Sequence, residues 1–260
     1  MGGGLFFCWW GFRKNVYFCG LKRAWQEMQL FYIDSLESEM CTLSEEESIH
    51  CVRVLRKAAG DAVEVTDGRG TLAQCRIVEA HPKHCLLQVE ARTEGYGRRP
   101  YGLHLAVAPT KNAARMEWLL EKAVEMGVES FTPLVCQHSE RTTLKQERMA
   151  KIAVSAMKQS LKAYLPALHA PTTVEELIAQ PFAGQRFIAY CDGAHRTPLR
   201  EAYTTGSDAL ILIGPEGDFS PDEVAMALAA GFVPVTLGAS RLRTETAALA
   251  ALAFFNLMNG

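Results

Sequence analysis

The periodicity of the apolar residues changes at a segment rich in glycine and proline, residues 93–100. Upstream of it, short apolar runs are separated by turn signals such as Asp67-Gly68-Arg69-Gly70, a pattern typical of antiparallel strands. Downstream of it, short continuous apolar runs alternate with helical periodicity, which favours a mainly parallel sheet with helices on both faces. The sequence therefore predicts an α/β protein of two domains, a small β-barrel over residues 28–95 and an α/β domain over residues 103–260.

Individual elements are predicted from these two patterns. One helix interrupts the barrel, because Ser44-Glu45-Glu46-Glu47 fits a capping box ahead of apolar residues at helical spacing. The strands of the barrel are predicted at residues 30–33, 62–66, 71–78 and 85–89. In the α/β domain, strands are predicted at residues 103–108, 130–135, 186–190, 210–213 and 233–237, and helices at residues 113–126, 146–162, 174–179, 221–230 and 244–258.

The overall composition excludes several classes of protein. Of the 260 residues, 48% are hydrophobic and 22% are charged, which excludes wholesale disorder. A formal net charge of -2 excludes a generally basic nucleic-acid-binding protein but leaves room for a local basic face. The eight cysteines form no C-x-x-C pair of the kind that zinc sites use, so we expect reduced thiols in a cytoplasmic protein and no metal. No charge-free apolar run is long enough for a transmembrane helix, so no membrane partner is expected.

Residues 1–27 differ from the rest of the chain in being rich in aromatic side chains. Their basic residues follow the apolar run, whereas a signal peptide places them before it. Met28 opens a segment that is predicted to be a strand. We therefore interpret residues 1–27 as an upstream extension from a misassigned start; the alternative is an amphipathic anchor at a membrane surface.

The segment from Ile213 to Glu223 carries the clearest functional signal. A buried strand runs into a loop with two glycines, and then into a helix that Ser220 caps and Pro221 opens. Ligands bind open α/β sheets outside the carboxyl ends of the strands, and glycine lets the backbone approach a ligand closely. A tight strand-to-helix turn without a ligand would have the same pattern, so the loop alone does not decide between them.

A second strand-to-helix segment, Leu237–Ala247, repeats this arrangement. A glycine ends the strand, Arg241 and Arg243 follow, and Glu245 lies in the first turn of the helix. The arginines could be solvated surface charges, and Glu245 could simply complement the helix dipole. The sequence has neither the dinucleotide fingerprint nor the P-loop, and it lacks the nucleophile elbow and the H-E-x-x-H zinc motif.

Basic residues recur in both predicted domains. His50, Arg53 and Arg56 are spaced to share one face of an α-helix. Lys111 and Arg115 follow a predicted strand, and basic residues outnumber acidic ones over residues 140–162, beginning with Arg141. Any one of these could be part of a solvated face, but their recurrence favours contacts with a phosphate backbone.

Five segments together resemble the RsmE-type ribosomal RNA methyltransferases, from about Met28 to the C-terminus. They occur in the family's order: His50–Arg56, Glu121–Val128, Lys158-Gln159-Ser160, Gly214–Gly217 and Leu242–Ala247. The resemblance implies a PUA-like β-barrel, a SPOUT methyltransferase domain with a trefoil knot, and a homodimer. It also implies methylation of N3 of a uridine in 16S ribosomal RNA of the small subunit, with S-adenosyl-L-methionine as cofactor.

Motif matching to this family suggests the cofactor contacts, the basic residues suggest the RNA contacts, and the chemistry of the acceptor suggests the catalytic residues. The cofactor is expected to contact Asp192, Gly193, Gly214, Pro215, Glu216, Gly217, Leu237, Gly238, Leu242, Arg243 and Thr244. RNA is expected to contact His50, Arg53, Arg56, Lys111, Arg115 and Arg141. The candidate catalytic residues are Arg243, to stabilise charge on the base, and either Glu245 or Glu216, to accept the N3 proton.

The chain departs from the family pattern at two places. Asp218 stands where a second glycine is common, and Leu161-Lys162 stands where many members have glycine and arginine. We expect the Asp218 side chain to point outward, and we expect Leu161-Lys162 to alter RNA contacts rather than chemistry. The rival functions are a SPOUT enzyme for another RNA or base, a catalytically inactive RNA-binding module, and a small-molecule α/β enzyme.

Overall fold

The computed structural model describes residues 29–190 and 197–260, and these residues form two sheets. The predictions for residues 1–27, and those for Asp192 and Gly193, fall outside the described residues. Across the described ranges, no helix combines the length and the apolar character needed to cross a membrane.

The first sheet curls around a small core and has five strands in the order β1-β3-β4-β5-β2. The pairing of β1 with β3 is parallel, and the other pairings are antiparallel. Strand β2 was not predicted because it is three residues long and mostly exposed, so it has no apolar run. The strands are β1 (Leu30–Tyr32), β2 (Met40–Thr42), β3 (Ala62–Thr66), β4 (Leu72–Glu79) and β5 (Leu86–Thr93).

The helix of this domain differs from its prediction in two ways. It begins as α1 (Glu45–Ile49) and continues as a π-helical turn (His50–Val54). Ser44 Oγ accepts a hydrogen bond from the Glu47 amide at 3.2 Å, but the Glu47 carboxylate binds Lys158 of the other domain instead of completing a capping box. Arg56 lies beyond the helix with φ +56°, so the prediction that it shares an α-helical face with His50 and Arg53 was wrong.

The second sheet is parallel throughout, with the strand order β12-β10-β11-β6-β7-β8, and β9 also pairs with β7. Strand β11 is buried on both faces: Leu210 and Leu212 contact one apolar cluster, while Ile211 and Ile213 contact the other. This explains its continuous apolar run. The strands are β6 (Leu103–Val107), β7 (Ser130–Val135), β8 (Ala167–Leu168), β9 (Thr172–Thr173), β10 (Gln185–Ala189), β11 (Ala209–Ile213) and β12 (Val233–Val235).

Helices cover both faces of the parallel sheet, as predicted. The larger apolar cluster draws on α2, α3, α5 and α7, and the smaller one on α4 and α6. The short elements β8, β9 and α5 were not predicted, because two to four residues show no periodicity. The helices are α2 (Ala113–Glu125), α3 (Gln146–Gln159), α4 (Val174–Ile178), α5 (Leu199–Ala202), α6 (Pro221–Ala229) and α7 (Thr244–Asn259).

The predicted helix 146–162 ends early, at Gln159, because Leu161 has φ +54° and turns the chain towards the barrel. The segment that follows pairs with the β3–β4 hairpin: the Gly70 amide donates to the Ala163 carbonyl and the Leu165 amide to the Gly68 carbonyl, both at 2.8 Å. The ring of Tyr164 lies where a Cβ on residue 70 would be, so only glycine fits there. These contacts hold the two domains together.

Candidate functional site

A pocket of about 360 Å³ opens at the carboxyl ends of β10, β11 and β12, between two loops. The first loop, residues 214–220, joins β11 to α6, and the second, residues 236–243, joins β12 to α7. The position is the one expected for a ligand site in an open α/β sheet. The lining residues are Ala189, Ile213, Gly214, Pro215, Glu216, Asp218, Val235, Leu237, Gly238, Ser240, Arg241, Leu242, Arg243, Thr244 and Ala247.

Close packing fixes the backbone of the first loop. A Cβ on Gly214 would lie 3.1 Å from the ring of Phe219, and one on Gly217 would lie 3.1 Å from Cβ of His138. Asp218 has φ +65°, a conformation that explains why glycine is common there and that Asp adopts more readily than most residues. Asp218 is exposed, and its Oδ1 accepts a hydrogen bond from the Phe219 amide at 2.8 Å.

The helix start after this loop is fixed by the predicted capping box. Ser220 Oγ accepts from the Glu223 amide at 3.2 Å, and Glu223 Oε2 accepts from the Ser220 amide at 2.8 Å. The other carboxylate oxygen of Glu223 accepts from the Gln137 amide at 2.8 Å. Glu223 is buried, and it ties the first loop to the segment after β7.

A hydrogen bond joins the residue after the second loop to the first loop, from Thr244 Oγ1 to the Gly214 carbonyl at 3.1 Å. Thr244 is buried and begins α7, so this bond sets the start of the helix against the end of β11. Arg243, directly before it, is exposed and lines the pocket. The geometry of the pocket therefore depends on a contact between two distant segments of the chain, the Thr244 hydroxyl in one and the Gly214 carbonyl in the other.

The pocket brings together two of the three candidate catalytic residues. Arg243 and Glu216 both line it. Glu245 does not; it is only 8% exposed, and its Oε1 lies 3.4 Å from Nη1 of Arg115 on α2. Glu245 therefore faces α2 and lies outside the pocket wall.

Three of the basic residues predicted to contact RNA lie next to this site. The Lys111 amide is 3.4 Å from Glu216 Oε1, and Arg141 donates two hydrogen bonds to the Lys111 carbonyl at 3.1 and 3.3 Å. Lys111 Nζ lies 2.8 Å from Glu140, a contact that raises the pKa of the lysine. With Arg115 bound to Glu245, this group is partly neutralised within the protein.

The other three predicted RNA contacts, His50, Arg53 and Arg56, lie in the barrel domain. Arg53 and Arg56 are exposed, whereas His50 is half-buried with its ring 6.1 Å from that of Phe31, edge to face. The basic residues thus form two groups, one in each domain.

Several pocket residues were not predicted. Asp218 was noted only as a departure from a motif, and Arg241 only as a charge near the second loop. The apolar wall formed by Ala189, Ile213, Val235 and Ala247 was not predicted, since apolar residues at strand ends look in sequence like any other core residue. The sequence feature that could have identified these residues is their position next to the two glycine-containing loops.

Two family models match the chain. A model described as an RNA methyltransferase domain matches residues 98–256, which is more than half of the chain. A second, described as an RNA methyltransferase PUA domain, matches residues 43–90. A ribosomal RNA small subunit methyltransferase E of Synechocystis is 30% identical over 227 residues, covering 84% of this chain and 73% of the relative. That of Bacillus subtilis is 26% identical, covering 86% and 94%.

Solved structures similar to this chain are also described as methyltransferases. A probable rRNA-methyltransferase from Porphyromonas gingivalis superposes with a TM-score of 0.83 and 44% identity, covering 89% of this chain and 98% of that one. A ribosomal RNA small subunit methyltransferase E from Neisseria gonorrhoeae, bound to S-adenosyl methionine, superposes with a TM-score of 0.81 and 26% identity, covering 90% and 99%.

Proposed function

We propose that this chain, which belongs to the family of the ribosomal RNA small subunit methyltransferases E, transfers a methyl group from S-adenosyl-L-methionine to N3 of a uridine in 16S ribosomal RNA. The observation that carries the proposal is the pocket between residues 214–220 and 236–243, closed by the Thr244–Gly214 hydrogen bond. It coincides with two of the motifs that resemble the family.

The residues of the pocket fit this cofactor. The apolar side chains Ile213, Leu237 and Leu242 form a surface suited to a flat ring, and the carboxylates of Glu216 and Asp218 suit a cationic ligand. The volume of about 360 Å³ is within the usual range for a small-molecule site. Of the predicted cofactor contacts that lie in the described residues, all but Gly217 line the pocket.

The reaction requires an activated acceptor. When bound, the cofactor supplies a methyl group on a sulfonium, which is already reactive. Uracil N3 carries a proton, and its removal places negative charge on the flanking carbonyl oxygens. Arg243, exposed at the pocket, is placed to stabilise that charge. Because N3 lies on the pairing edge of the base, the uridine must be unpaired or flipped out of its stack to reach the pocket.

Glu216 is the better supported proton acceptor. Its carboxylate lines the pocket, whereas Glu245 is buried against Arg115. We therefore assign Glu245 a positioning role: it anchors the first turn of α7, directly after Arg243, to α2. Neutralising Glu216 should lower kcat, while neutralising Glu245 should act through the placement of Arg243.

RNA binding is proposed to involve both basic groups. Arg53 and Arg56 on the barrel, with Lys111 and Arg141 beside the pocket, would contact backbone phosphates. A ribosomal RNA substrate implies a cytoplasmic location.

A homodimer is proposed from the uncovered apolar side chains on two neighbouring helices. Leu257 on α7 is 80% exposed and Trp118 on α2 is 46% exposed. These helices pack against each other, so a second copy of the chain could cover both side chains.

The trefoil knot and the domain limits are also proposals. β12 lies at the sheet edge beyond β10, whereas α7 packs against β6 and β11 in the middle of the sheet. The chain must therefore return inward after β12, which supports a knotted path. A boundary between residues 95 and 103 is supported by the separation of the two sheets.

The test is methyl transfer from labelled S-adenosylmethionine to small ribosomal subunits that lack the modification, followed by identification of the nucleoside. 3-Methyluridine is the expected product. A different methylated nucleoside would refute the assigned base. Cofactor binding without transfer would indicate a different RNA or an inactive module, and no cofactor binding would refute the proposal for the pocket.

A further inference from the structure

A second, larger cleft lies between the two domains, with a volume of about 890 Å³. The β3–β4 hairpin, the interdomain segment, the start of β7 and the segment after α3 all contribute to it. Its charged lining residues in the described part of the chain are Arg69, Arg98, Arg99, Lys162 and the single carboxylate Glu129.

The cleft is separate from the cofactor pocket. Glu129 and Ser130 lie at the amino end of β7, and Arg99 precedes β6, whereas the pocket lies at the carboxyl ends of the strands. A five-residue strand is roughly 16 Å long at about 3.3 Å per residue. A ligand in the cleft would therefore not contact the reacting groups of the same chain.

One guanidinium nitrogen of Arg99 has no hydrogen-bond partner among the residues that the structure describes. Its Nη1 donates to three neutral acceptors, the Tyr101 hydroxyl at 3.3 Å, the Met126 carbonyl at 3.4 Å and Asn256 Oδ1 at 2.9 Å. Its Nη2 is buried and has no hydrogen-bond partner. Gly127 makes room for this group, since a Cβ there would lie 2.9 Å from the guanidinium carbon. A buried donor without an acceptor is costly, and this favours an anion close to the charge of Arg99.

Lys162 adds a second desolvated cation. Leu161 in its left-handed conformation directs the chain so that residue 162 lines the cleft. Burial and the nearby Arg99 lower the pKa of Lys162, while Glu125 opposes this change. Glu125 itself is engaged by Lys122 at 2.7 Å. Burial raises the pKa of Glu129, whereas the nearby Arg99 opposes this change, and Glu129 is the single acidic residue against four basic ones among the described lining groups.

We propose that this cleft binds a phosphate group, held by Lys162, Arg99 and Arg69. Arginine and lysine together are well suited to phosphate oxygens, and an anion would offset the charge of Arg99 and relieve the repulsion between Lys162 and Arg99. The phosphate is either a backbone phosphate of the RNA, which rests on the function proposed above, or that of a free phosphate-bearing molecule.

The first experiment titrates inorganic phosphate into the full-length protein and follows the amide resonances of Gly127 and Lys162. Saturable shifts are expected, with affinity about tenfold lower in Lys162→Gln. Arg69→Gln is the second variant, because Arg69 is exposed and its loss leaves the backbone contacts of the hairpin intact. Lys83→Gln, an exposed lysine that lines neither the cleft nor the pocket, is the matched control and should titrate like the unmodified protein.

The second experiment measures binding of a 16S RNA fragment against salt concentration. If the phosphate belongs to RNA, Lys162→Gln reduces the slope of log K against log salt by about 0.7 to 1. Saturable phosphate binding with an unchanged RNA slope assigns the cleft to a free phosphate-bearing ligand. No phosphate-dependent shift and an unchanged slope together overturn the proposal. Phosphate binding by a protein that transfers no methyl group would instead refute the proposed function and leave the cleft standing.

Discussion

Lys158→Met should destabilise the protein through a carboxylate in the other domain. Lys158 on α3 contacts Glu47 on α1 across the domain interface. The Glu47 side chain is 9% exposed and that of Lys158 is 24% exposed, so the pair is largely shielded from water. The second oxygen of Glu47 is already buried without a partner. Removing the lysine leaves a buried negative charge that, among the described groups, only the amino end of α1 offsets.

The expected loss of stability depends on how deeply the Lys158–Glu47 pair is buried. Breaking a buried ion pair by removing one partner costs about 3 to 5 kcal/mol. Because a quarter of the lysine remains exposed, water can partly screen Glu47 in the variant, and we expect about 2 to 3 kcal/mol. Adding Glu47→Gln to Lys158→Met removes the stranded charge, so the double variant should recover about half of the loss.

Urea unfolding of the three proteins measures these differences as shifts in the free energy of unfolding. Lys151→Met is the matched control, an exposed lysine on the same helix whose loss should cost less than about 0.5 kcal/mol. A Lys158→Met variant as stable as this control, or a double variant no more stable than the single one, would refute the assignment of a buried charge to Glu47.

Three further predictions concern the site and its supporting sheet. Arg243→Ala should abolish methyl transfer without changing the unfolding midpoint, because the side chain is exposed and makes no capping hydrogen bond to α7; an active variant would remove Arg243 from the mechanism. Thr244→Val should weaken S-adenosylmethionine binding about 3- to 10-fold in calorimetry, since it loses the bond to Gly214 worth about 0.5 to 1.5 kcal/mol; unchanged affinity would show that the loops are set by packing alone. His104 bonds Thr132 at 2.7 Å, and burial followed by the proximity of His169 lowers its pKa to about 4. As the pH falls, the unfolded chain binds a proton at this histidine before the folded chain does. The free energy of unfolding therefore has its full value above about pH 6.5 and falls by up to about 3 kcal/mol towards pH 4. Urea unfolding at pH 7 and pH 4.5 should show a smaller loss of stability at the lower pH for His104→Phe than for the unmodified protein. An identical pH dependence in these two proteins would contradict the prediction.

The parts of the fold that were predicted are those in which local sequence and long-range contacts agree. Strand β7 and helix α2 were predicted nearly to the residue, because each has a complete apolar pattern and, for α2, a glycine that ends it. The same holds for the capping box of Ser220 and Glu223. The capping box at Ser44 was only half correct, since Glu47 found a partner 111 residues away that no local pattern reveals.

In the candidate site, too, the features set by local sequence could be predicted and those set by distant contacts could not. Both loops could be placed from glycines at strand ends, and the left-handed backbone of Asp218 explains why a glycine is common at that position. The choice between Glu216 and Glu245 could not be made from sequence, because it depends on Arg115 approaching α7 from a helix 130 positions earlier. Lys158 is the converse case: in sequence it is one of a run of basic residues that favour RNA, yet its charge is used by Glu47. A basic residue that a carboxylate of the folded chain already binds is a weaker candidate for contact with a phosphate, and by this criterion Arg99 and Lys162 in the interdomain cleft are better candidates than Lys158 or Arg115.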